Sequence, residues 1–188
     1  MLQVLGYLSG IISAIAIIPY IIDILKKKTR PERASWLIWS VLGGIAFFSQ
    51  LAKGATDSLW MPGIQTFAVI VISILSIKYG EGGLTPRDIK ALIVAGIGLL
   101  LWVFTKEATF ALFFVIFVDG VGSSLTIIKA YKDPSGETMS TWFISGLSGL
   151  LSAISVGSWN FILLSYPVFI WLINWAVVAA MKTSPKRI

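Results

Sequence analysis

Long apolar stretches separated by short polar connectors follow one another along most of the chain. A helix of about 20 apolar residues matches the hydrocarbon thickness of a bilayer, so each such stretch predicts a membrane span. The pattern predicts an all-α integral membrane protein with seven transmembrane helices. The first stretch has no basic segment or small-residue cleavage site before it, so it is interpreted as a retained span. The predicted spans cover about residues 5–25, 35–51, 59–77, 89–104, 109–128, 141–156 and 161–181.

Lysine and arginine residues are distributed unevenly between the two sets of connectors. If the connector between the first two spans is cytoplasmic, thirteen of the 15 Lys and Arg residues lie on that side, and only Lys53 and Lys106 lie on the other. Cytoplasmic loops carry such an excess. The N-terminus is therefore predicted outside and the C-terminus in the cytoplasm, which requires an odd number of spans.

A pattern in the first half of the chain returns in the second half. The segment 18–39, IPYIIDILKKKTRPERASWLIW, is similar to the segment 126–144, TIIKAYKDPSGETMSTWFI. Three spans map onto three spans with one span between them, so both copies enter the membrane in the same direction. This predicts a first three-helix bundle at 1–80, a linker with the fourth span at 81–107, and a second bundle at 108–188. The matched pairs include Trp36 with Trp142, Gly43 with Gly149 and Pro62 with Pro167.

This arrangement resembles the SWEET and PQ-loop superfamily of transporters, which have three spans, a linker span and three parallel spans (3+1+3). Pro19 late in the first span, the basic connector, and Ser35 with Trp36 at the start of the second are similar to the signature of that superfamily. Tyr20 stands where a glutamine usually follows the proline, and Asn174 matches an asparagine that commonly lines the sugar site. The resemblance implies a carrier of a sugar or of a vitamin such as nicotinamide riboside or thiamine.

Asp119 is the most informative polar residue, because it lies near the middle of the fifth span. A charge at that depth costs roughly 2.5 to 3.5 kcal/mol on insertion scales, and such residues usually face a cavity or a partner. Ser123 follows one helical turn later on the same face. The predicted role of Asp119 is substrate hydrogen bonding or proton coupling, and the alternative is a structural carboxyl. At a separation of 103 positions its first-half equivalent is Ala16.

Other polar and aromatic residues are expected to share the substrate site with Asp119. Amides within hydrocarbon must find partners, and pockets for small solutes combine aromatic walls with a few polar groups. The alternative for each is ordinary packing or hydrogen bonding between helices. The predicted substrate-binding set is Asp119, Ser123, Asn174, Trp171, Trp39, Gln65 and Thr66.

A second set of residues is predicted to act in opening and closing, or else to serve packing. Proline removes a backbone hydrogen bond and can bend a helix, and glycines can loosen one. Asp23 is either a cytoplasmic gate residue or an ion-pair partner of Lys26 or Lys27. The predicted hinge and gate residues are Pro19, Asp23, Gly120 and Gly122.

Two further groups are interpreted mainly by their position along the spans. Trp36 and Trp142 open equivalent spans and are interpreted as interfacial anchors. The small residues of the sixth span are expected to pack at the interface between the two bundles, with Ser148 or Ser152 reaching the cavity as an alternative.

The chain contains no His and no Cys, which removes disulfides, thiolate nucleophiles, imidazole bases and the commonest zinc ligands. An enzyme, a metal site and a cofactor are therefore not predicted. The leading hypothesis is a facilitative, alternating-access transporter for a small polar organic solute, and the alternative is a receptor or sensor on the same fold. The expected partners are the solute and the lipid bilayer, without nucleic acid, in a monomer or homo-oligomer of a prokaryotic plasma membrane.

Overall fold

The computed structural model describes residues 1–28, 31, 33–80, 86, 89–90, 93–94, 96–97, 100, 104, 107–132, 134 and 137–185. All regular structure in these ranges is helical. The separate described positions from 86 to 104 are helical as well, while half of the predicted fourth span, at 89–104, lies outside the described residues. The delimited helices are α1 (Leu2–Leu25), α2 (Arg33–Ala52), a 3-10 helix (Asp57–Leu59), α3 (Trp60–Tyr79), α4 (Ala108–Lys132), α5 (Met139–Ser155) and α6 (Phe161–Thr183).

These helices coincide with the predicted spans other than the fourth, and their ends differ from the prediction by at most four residues. Three segments are long and apolar enough to cross a membrane, namely Leu2–Leu25, Asp57–Tyr79 and Phe161–Thr183. The other apolar segments are shorter, at Trp36–Ala52, Thr109–Gly120 and Met139–Ser155. Length and composition are therefore those of a membrane protein.

Apolar side chains cover the outside of the helices and small polar side chains lie inside. On α1, Ile11 and Ile15 are about half exposed, whereas Ser9 and Ser13 are buried. Phe117 on α4 is 69% exposed. A water-soluble protein places these residue types the other way round. The distribution suits helices that are surrounded by lipid and that hydrogen-bond their polar groups internally.

The first three and the last three of these helices pack in the same order. Helices α1 and α2 each pack on α3, and α4 and α5 each pack on α6. The two groups meet where α1 packs on α5 and where α2 packs on α4. If α1, α2 and α3 are matched with α4, α5 and α6 in that order, each contact has a counterpart of the same kind. This is what a repeated unit would give.

Contacts at the helix ends fix the relative directions of the two groups. The Arg33 side chain donates from Nε to the Ser76 carbonyl at 3.0 Å, which joins the start of α2 to the end of α3. The Lys53–Glu107 ion pair, at 3.5 Å, joins the end of α2 to the start of α4. Helix α2 is therefore antiparallel to both α3 and α4, so the two groups run in the same direction.

Small residues lie on two different faces of helix α5, and each face contacts a different part of the protein. Ser148 and Ser152 face the first group, as predicted for the interface between groups. Gly146 and Gly149 instead face α6 within their own group, so the prediction was wrong for the glycines. A Cβ atom on Gly149 would lie 2.7 Å from the backbone nitrogen of Trp171. Only the absence of a side chain permits this close approach.

Replacing Gly149 by Ala is expected to destabilise the protein by about 1–3 kcal/mol, because the added methyl meets backbone atoms that cannot move independently. The matched control is Gly44→Ala on α2, where a Cβ atom meets nothing within 4 Å. That change is expected to be neutral or to stabilise by up to about 1 kcal/mol, since Ala is the better helix former. Thermal unfolding in detergent, followed by tryptophan fluorescence, measures both. Equal midpoints for the two variants would contradict the close packing of α5 on α6.

Candidate solute-binding site

A cavity of about 440 Å³ lies between the two groups of helices, and residues from all six helices line it. Its volume is within the range of small-molecule sites, about 300–1,000 Å³. The lining combines hydroxyl, amide and carboxyl groups with aromatic rings. Such a mixture of aromatic walls and few polar groups is typical of sites for small organic solutes.

Helices α1 and α4 present matching faces to the cavity. Each contributes residues spaced by four and then three positions, which is one face of a helix. The two sets are separated by 106 positions throughout, so the structural equivalent of Asp119 is Ser13. The prediction that Ala16 is the equivalent residue was wrong. The offset of 103 was taken from residues in the connectors, whereas the cavity-facing residues of α1 and α4 correspond at an offset of 106. The matched residues are Ser13, Ile17 and Tyr20 on α1 and Asp119, Ser123 and Thr126 on α4.

Asp119 lies in the wall of the cavity together with two of its predicted neighbours. Ser123 donates from Oγ to Asp119 Oδ1 at 3.1 Å. The Trp39 side chain, whose only donor is the indole N–H, lies beside the same carboxyl in the cavity wall. Within the described part of the chain, Asp119 forms no ion pair with Lys or Arg. The carboxyl group therefore has two uncharged donor groups beside it and an exposed side toward the cavity.

Aromatic rings form a continuous wall on the side of α1 and α2. The rings of Tyr20 and Trp36 are 5.1 Å apart, and those of Trp36 and Trp39 are 5.2 Å apart and nearly perpendicular at 87°. Trp36 is only 8% exposed, and it lines the cavity. The interpretation of Trp36 and Trp142 as interfacial anchors was therefore wrong. Trp142 lines the cavity too, and its indole nitrogen donates to Glu137 at 3.1 Å.

The predicted amides also lie at the cavity. Asn174 donates from Nδ2 to the Ile170 carbonyl at 2.8 Å, which fixes its orientation. Gln65 Oε1 and Thr141 Oγ1 are buried and have no hydrogen-bond partner in the described part of the protein. Thr66 lines the cavity beside Gln65. The residues Gln65 and Thr141 line the cavity, but these two oxygen atoms are themselves covered by neighbouring atoms.

Trp171 is the one predicted substrate-binding residue that the structure places outside the cavity lining. Its ring packs edge-on against Trp175, with centroids 5.8 Å apart, and the two tryptophans lie along α5 at Gly149 and Gly146. Gly146 leaves room for the Trp175 ring, and Gly149 lies against the backbone nitrogen of Trp171. The structure therefore places Trp171, which was predicted to bind substrate, outside the described cavity lining.

Of the predicted hinge and gate residues, Pro19, Asp23 and Gly120 are not among the described cavity-lining residues. Pro19 is inside α1, which continues through it, next to the cavity-lining Tyr20. A Cβ atom on Gly120 would be 3.7 Å from Phe169, an ordinary contact, while the surroundings of Gly122 lie outside the described residues. No ion pair joins Asp23 to Lys26 or Lys27. The hinge and gate roles stay predictions.

The cavity extends toward one end of the helices and is closed at the other. Glu137 and Thr138, in the connector before α5, line it, so it reaches the end that carries the basic connectors. At the opposite end, Ser148 donates from Oγ to the Ser9 carbonyl at 2.7 Å, and Ser152 to the Ser58 carbonyl at 3.0 Å. We refer to Ser9, Ser58, Ser148 and Ser152 as the serine seal.

Several cavity residues were missed by sequence reasoning, chiefly Tyr20, Tyr166 and Glu137. The available signal was the pairing of Trp36 with Trp142. Equivalent residues of a repeated unit lie on opposite sides of its axis, where a shared cavity is found. Glu137 carried no such signal, because it lies in a connector.

Comparisons of the chain with protein-family models, with curated proteins and with solved structures find no match.

Proposed function

We propose that this protein is a membrane transporter for a small polar organic solute, with seven spans in a 3+1+3 arrangement. The observation that carries the proposal is the cavity between two helix groups of equal packing order and direction. Transporters with parallel repeats place their substrate at the interface between the repeats, near the middle of the membrane. The site would then be Asp119 with Ser123 and Trp39, together with Gln65, Thr66 and Asn174.

Alternating access is supported by the difference between the two ends of the cavity. The serine seal closes one end with two hydrogen bonds between the groups. Each such bond contributes only about 0.5–1.5 kcal/mol, so relative rotation of the groups would break the seal at modest cost. In the orientation inferred from the basic residues, this conformation faces the cytoplasm of a prokaryotic cell.

Facilitative transport is the simplest mechanism for this cavity. Among the described lining residues, Asp119 is the only acid that a helix contributes, and Glu137 lies in a connector. Movement of a solute across the membrane without coupling to an ion requires no cofactor. The fold and mechanism proposed are those that the SWEET and PQ-loop resemblance implies.

Solute counterflow tests the proposal directly. Purified protein is reconstituted in liposomes that are loaded with an unlabelled solute and then diluted into the same solute in labelled form. Sugars, nucleosides and vitamins are tested in turn. We expect transient accumulation of one class of label, above the level in protein-free liposomes, because an uncoupled carrier exchanges without an ion gradient.

Two other outcomes would change the assignment. Accumulation that persists and requires an imposed proton gradient would replace facilitative transport by proton coupling. No accumulation of any solute, with a ligand-dependent rise of the unfolding temperature for one class, would favour the receptor or sensor on the same fold.

A further inference from the structure

We propose that the end of the molecule at which α1 and α3 finish binds the phosphate headgroup of an anionic phospholipid, chiefly through Lys26, Lys27 and Lys28. We refer to these three residues as the lysine triplet. The occupant is a lipid of the surrounding bilayer, with an acyl chain along the exposed apolar face of α1. The inference goes beyond the proposed transport, because it concerns the outer surface of the helices and not the cavity.

The lysine triplet forms the cap at the end of α1. The Lys28 N–H donates to the Asp23 carbonyl at 2.8 Å, and the Lys27 N–H donates to the Ile24 carbonyl at 2.9 Å. These are the two bonds of a Schellman motif, in which the residue at the position of Lys27 has a positive φ and is usually glycine. Lys27 has a φ of 58°. Because backbone N–H groups make this cap, the lysine side chains are not required for it.

The three side chains of the triplet are exposed and carry uncompensated charge. Within the described part of the chain, no ion pair involves any of them. Lys27 in addition holds a left-handed conformation, which glycine adopts at little cost and a residue with a side chain does not. Glycine would serve the cap better, so the charge at this position indicates a further role for the side chain.

The positive charge of this connector exceeds that of its equivalent in the second half of the chain. At an offset of 103, Pro31 corresponds to Pro134, and both prolines are buried. Residues 26–33 contain five Lys and Arg and one Glu, whereas residues 129–136 contain two Lys and one Asp. Both connectors lie at the same end of the molecule, so a general preference for positive charge at that end does not account for the difference. The excess indicates an anionic partner beside the first group of helices.

The apolar face that leads to the lysine triplet is suited to contact with a lipid chain. Exposed apolar residues recur along α1 at spacings of four and three, which is one face of a helix. At a rise of about 1.5 Å per residue this face is about 21 Å long, more than the roughly 15 Å half-thickness of a hydrocarbon core. A lipid whose chain lies on this face therefore places its headgroup at the triplet. The residues of the face, each 41–53% exposed, are Ile11, Ile15, Ile18, Ile22 and Leu25.

The end of α3 provides a further cation at the same end of the first group. Ile24, near the end of α1, and Tyr79, at the end of α3, pack in one cluster. Lys78 is exposed, and its Nζ lies 5.4 Å from the centroid of the Tyr79 ring. Ile77 before it is 73% exposed, so on α3 too an apolar outer face ends in a lysine. Basic clusters at the end of a membrane helix bind anionic headgroups.

Binding of a fluorescent phosphatidylglycerol to the wild-type protein in neutral detergent micelles tests the inference, with fluorescence anisotropy as the measurement. The competitors are unlabelled phosphatidylglycerol, phosphatidylcholine with the same acyl chains, and free glycerol 3-phosphate. We expect phosphatidylglycerol to compete at least about tenfold better than phosphatidylcholine, because one lysine near an anionic surface contributes about fivefold. The preference is expected to weaken as salt is raised, since exposed charges are screened.

The Lys27→Gly variant separates lipid binding from helix capping. It removes one charge and places glycine at the position that has a φ of 58°. Its unfolding temperature without lipid is expected to stay unchanged or to rise, while the affinity for phosphatidylglycerol falls about fivefold. The matched control, Lys132→Gln, removes one exposed charge at the end of α4 and should change the affinity less than about twofold. Replacing Lys26, Lys27 and Lys28 together by Gln should abolish the preference for phosphatidylglycerol.

Three results would overturn the inference. They are equal competition by the two lipids on wild type, a preference that survives in the triple variant, and competition by glycerol 3-phosphate as strong as that by phosphatidylglycerol, which would indicate a site for a soluble phosphate. The wild-type comparison stands even if the triple variant does not fold. Lipid preference without counterflow of any solute would retain the inference and overturn transport, and counterflow without lipid preference would do the reverse.

Discussion

Replacing Asp119 by Asn lowers the rate of solute counterflow by at least about 30-fold at subsaturating solute. A hydrogen bond to a charged group contributes roughly 1.5–3 kcal/mol, and a tenfold effect corresponds to about 1.4 kcal/mol. Asn keeps the shape of the side chain and an oxygen that accepts from Ser123 Oγ. The unfolding temperature is therefore expected to stay unchanged or to rise, because an unfavourable intramembrane charge is removed. Initial rates in proteoliposomes, with unfolding monitored in parallel, measure both effects.

The symmetry of the cavity provides a sharp control for Asp119. Ser13 occupies the equivalent position on α1, so the double variant Ser13→Asp with Asp119→Ser moves the carboxyl to the opposite wall. We expect this variant to recover part of the lost rate if the charge of the cavity is what the solute requires. Ser123→Ala is expected to lose only a few-fold, because it removes one uncharged hydrogen bond. A wild-type rate in Asp119→Asn would instead show that the carboxyl is structural.

Cross-linking the serine seal arrests counterflow to below about a tenth of the uncross-linked rate, and reduction restores it. The chain has no Cys, so Ser9→Cys with Ser148→Cys introduces the only two thiols. These residues are in contact, since the Ser148 hydroxyl lies 2.7 Å from the Ser9 carbonyl. A short, reducible bifunctional thiol reagent joins α1 to α5 and keeps the closed end closed. Binding of ligand from the open end is expected to stay within about twofold of wild type.

Two further cysteine pairs distinguish the effect of holding this end of the cavity closed from a general loss of flexibility. Lys53→Cys with Glu107→Cys joins the same end of the other interface between the groups, and we expect the same arrest. Arg33→Cys with Ser76→Cys joins α2 to α3 within one group, where relative motion is not required, and transport should continue. Unchanged counterflow after complete cross-linking of the serine seal would show that the two groups do not separate there.

Much of the helical pattern could be predicted from the sequence, because the length of an apolar run is compared only with the thickness of a bilayer. The structure confirms helices at the predicted spans that it describes, with shifts of a few residues at their ends. Asp119 could also be singled out from the sequence. A carboxyl group within a long apolar run is costly unless it has a partner or faces a cavity. The same reasoning found Ser123 one turn later, and the structure places its hydroxyl on the carboxyl.

The cavity walls were harder to predict, since depth along a helix can be counted in residues but rotation about its axis cannot. Trp36 was interpreted as an anchor at the end of its span, but packing against neighbouring helices turns it toward the cavity. Trp171 was assigned to the cavity from the sequence. Because Gly149 has no side chain, α5 packs closely against the backbone of α6 at Trp171. Both errors concern contacts between helices that are distant in sequence.

The sequence by itself determined where the six delimited α-helices are, that a pattern of the first half returns in the second, and that a carboxyl group lies within the apolar part of the fifth predicted span. These properties depend on local composition and on spacing along one chain. Only the tertiary structure decided that Ser13 is opposite Asp119, that tryptophans from both halves face one cavity, and that serines close one of its ends. These properties arise when helices pack, because the packing of neighbouring side chains sets the rotation of each helix and therefore which of its faces meets the cavity.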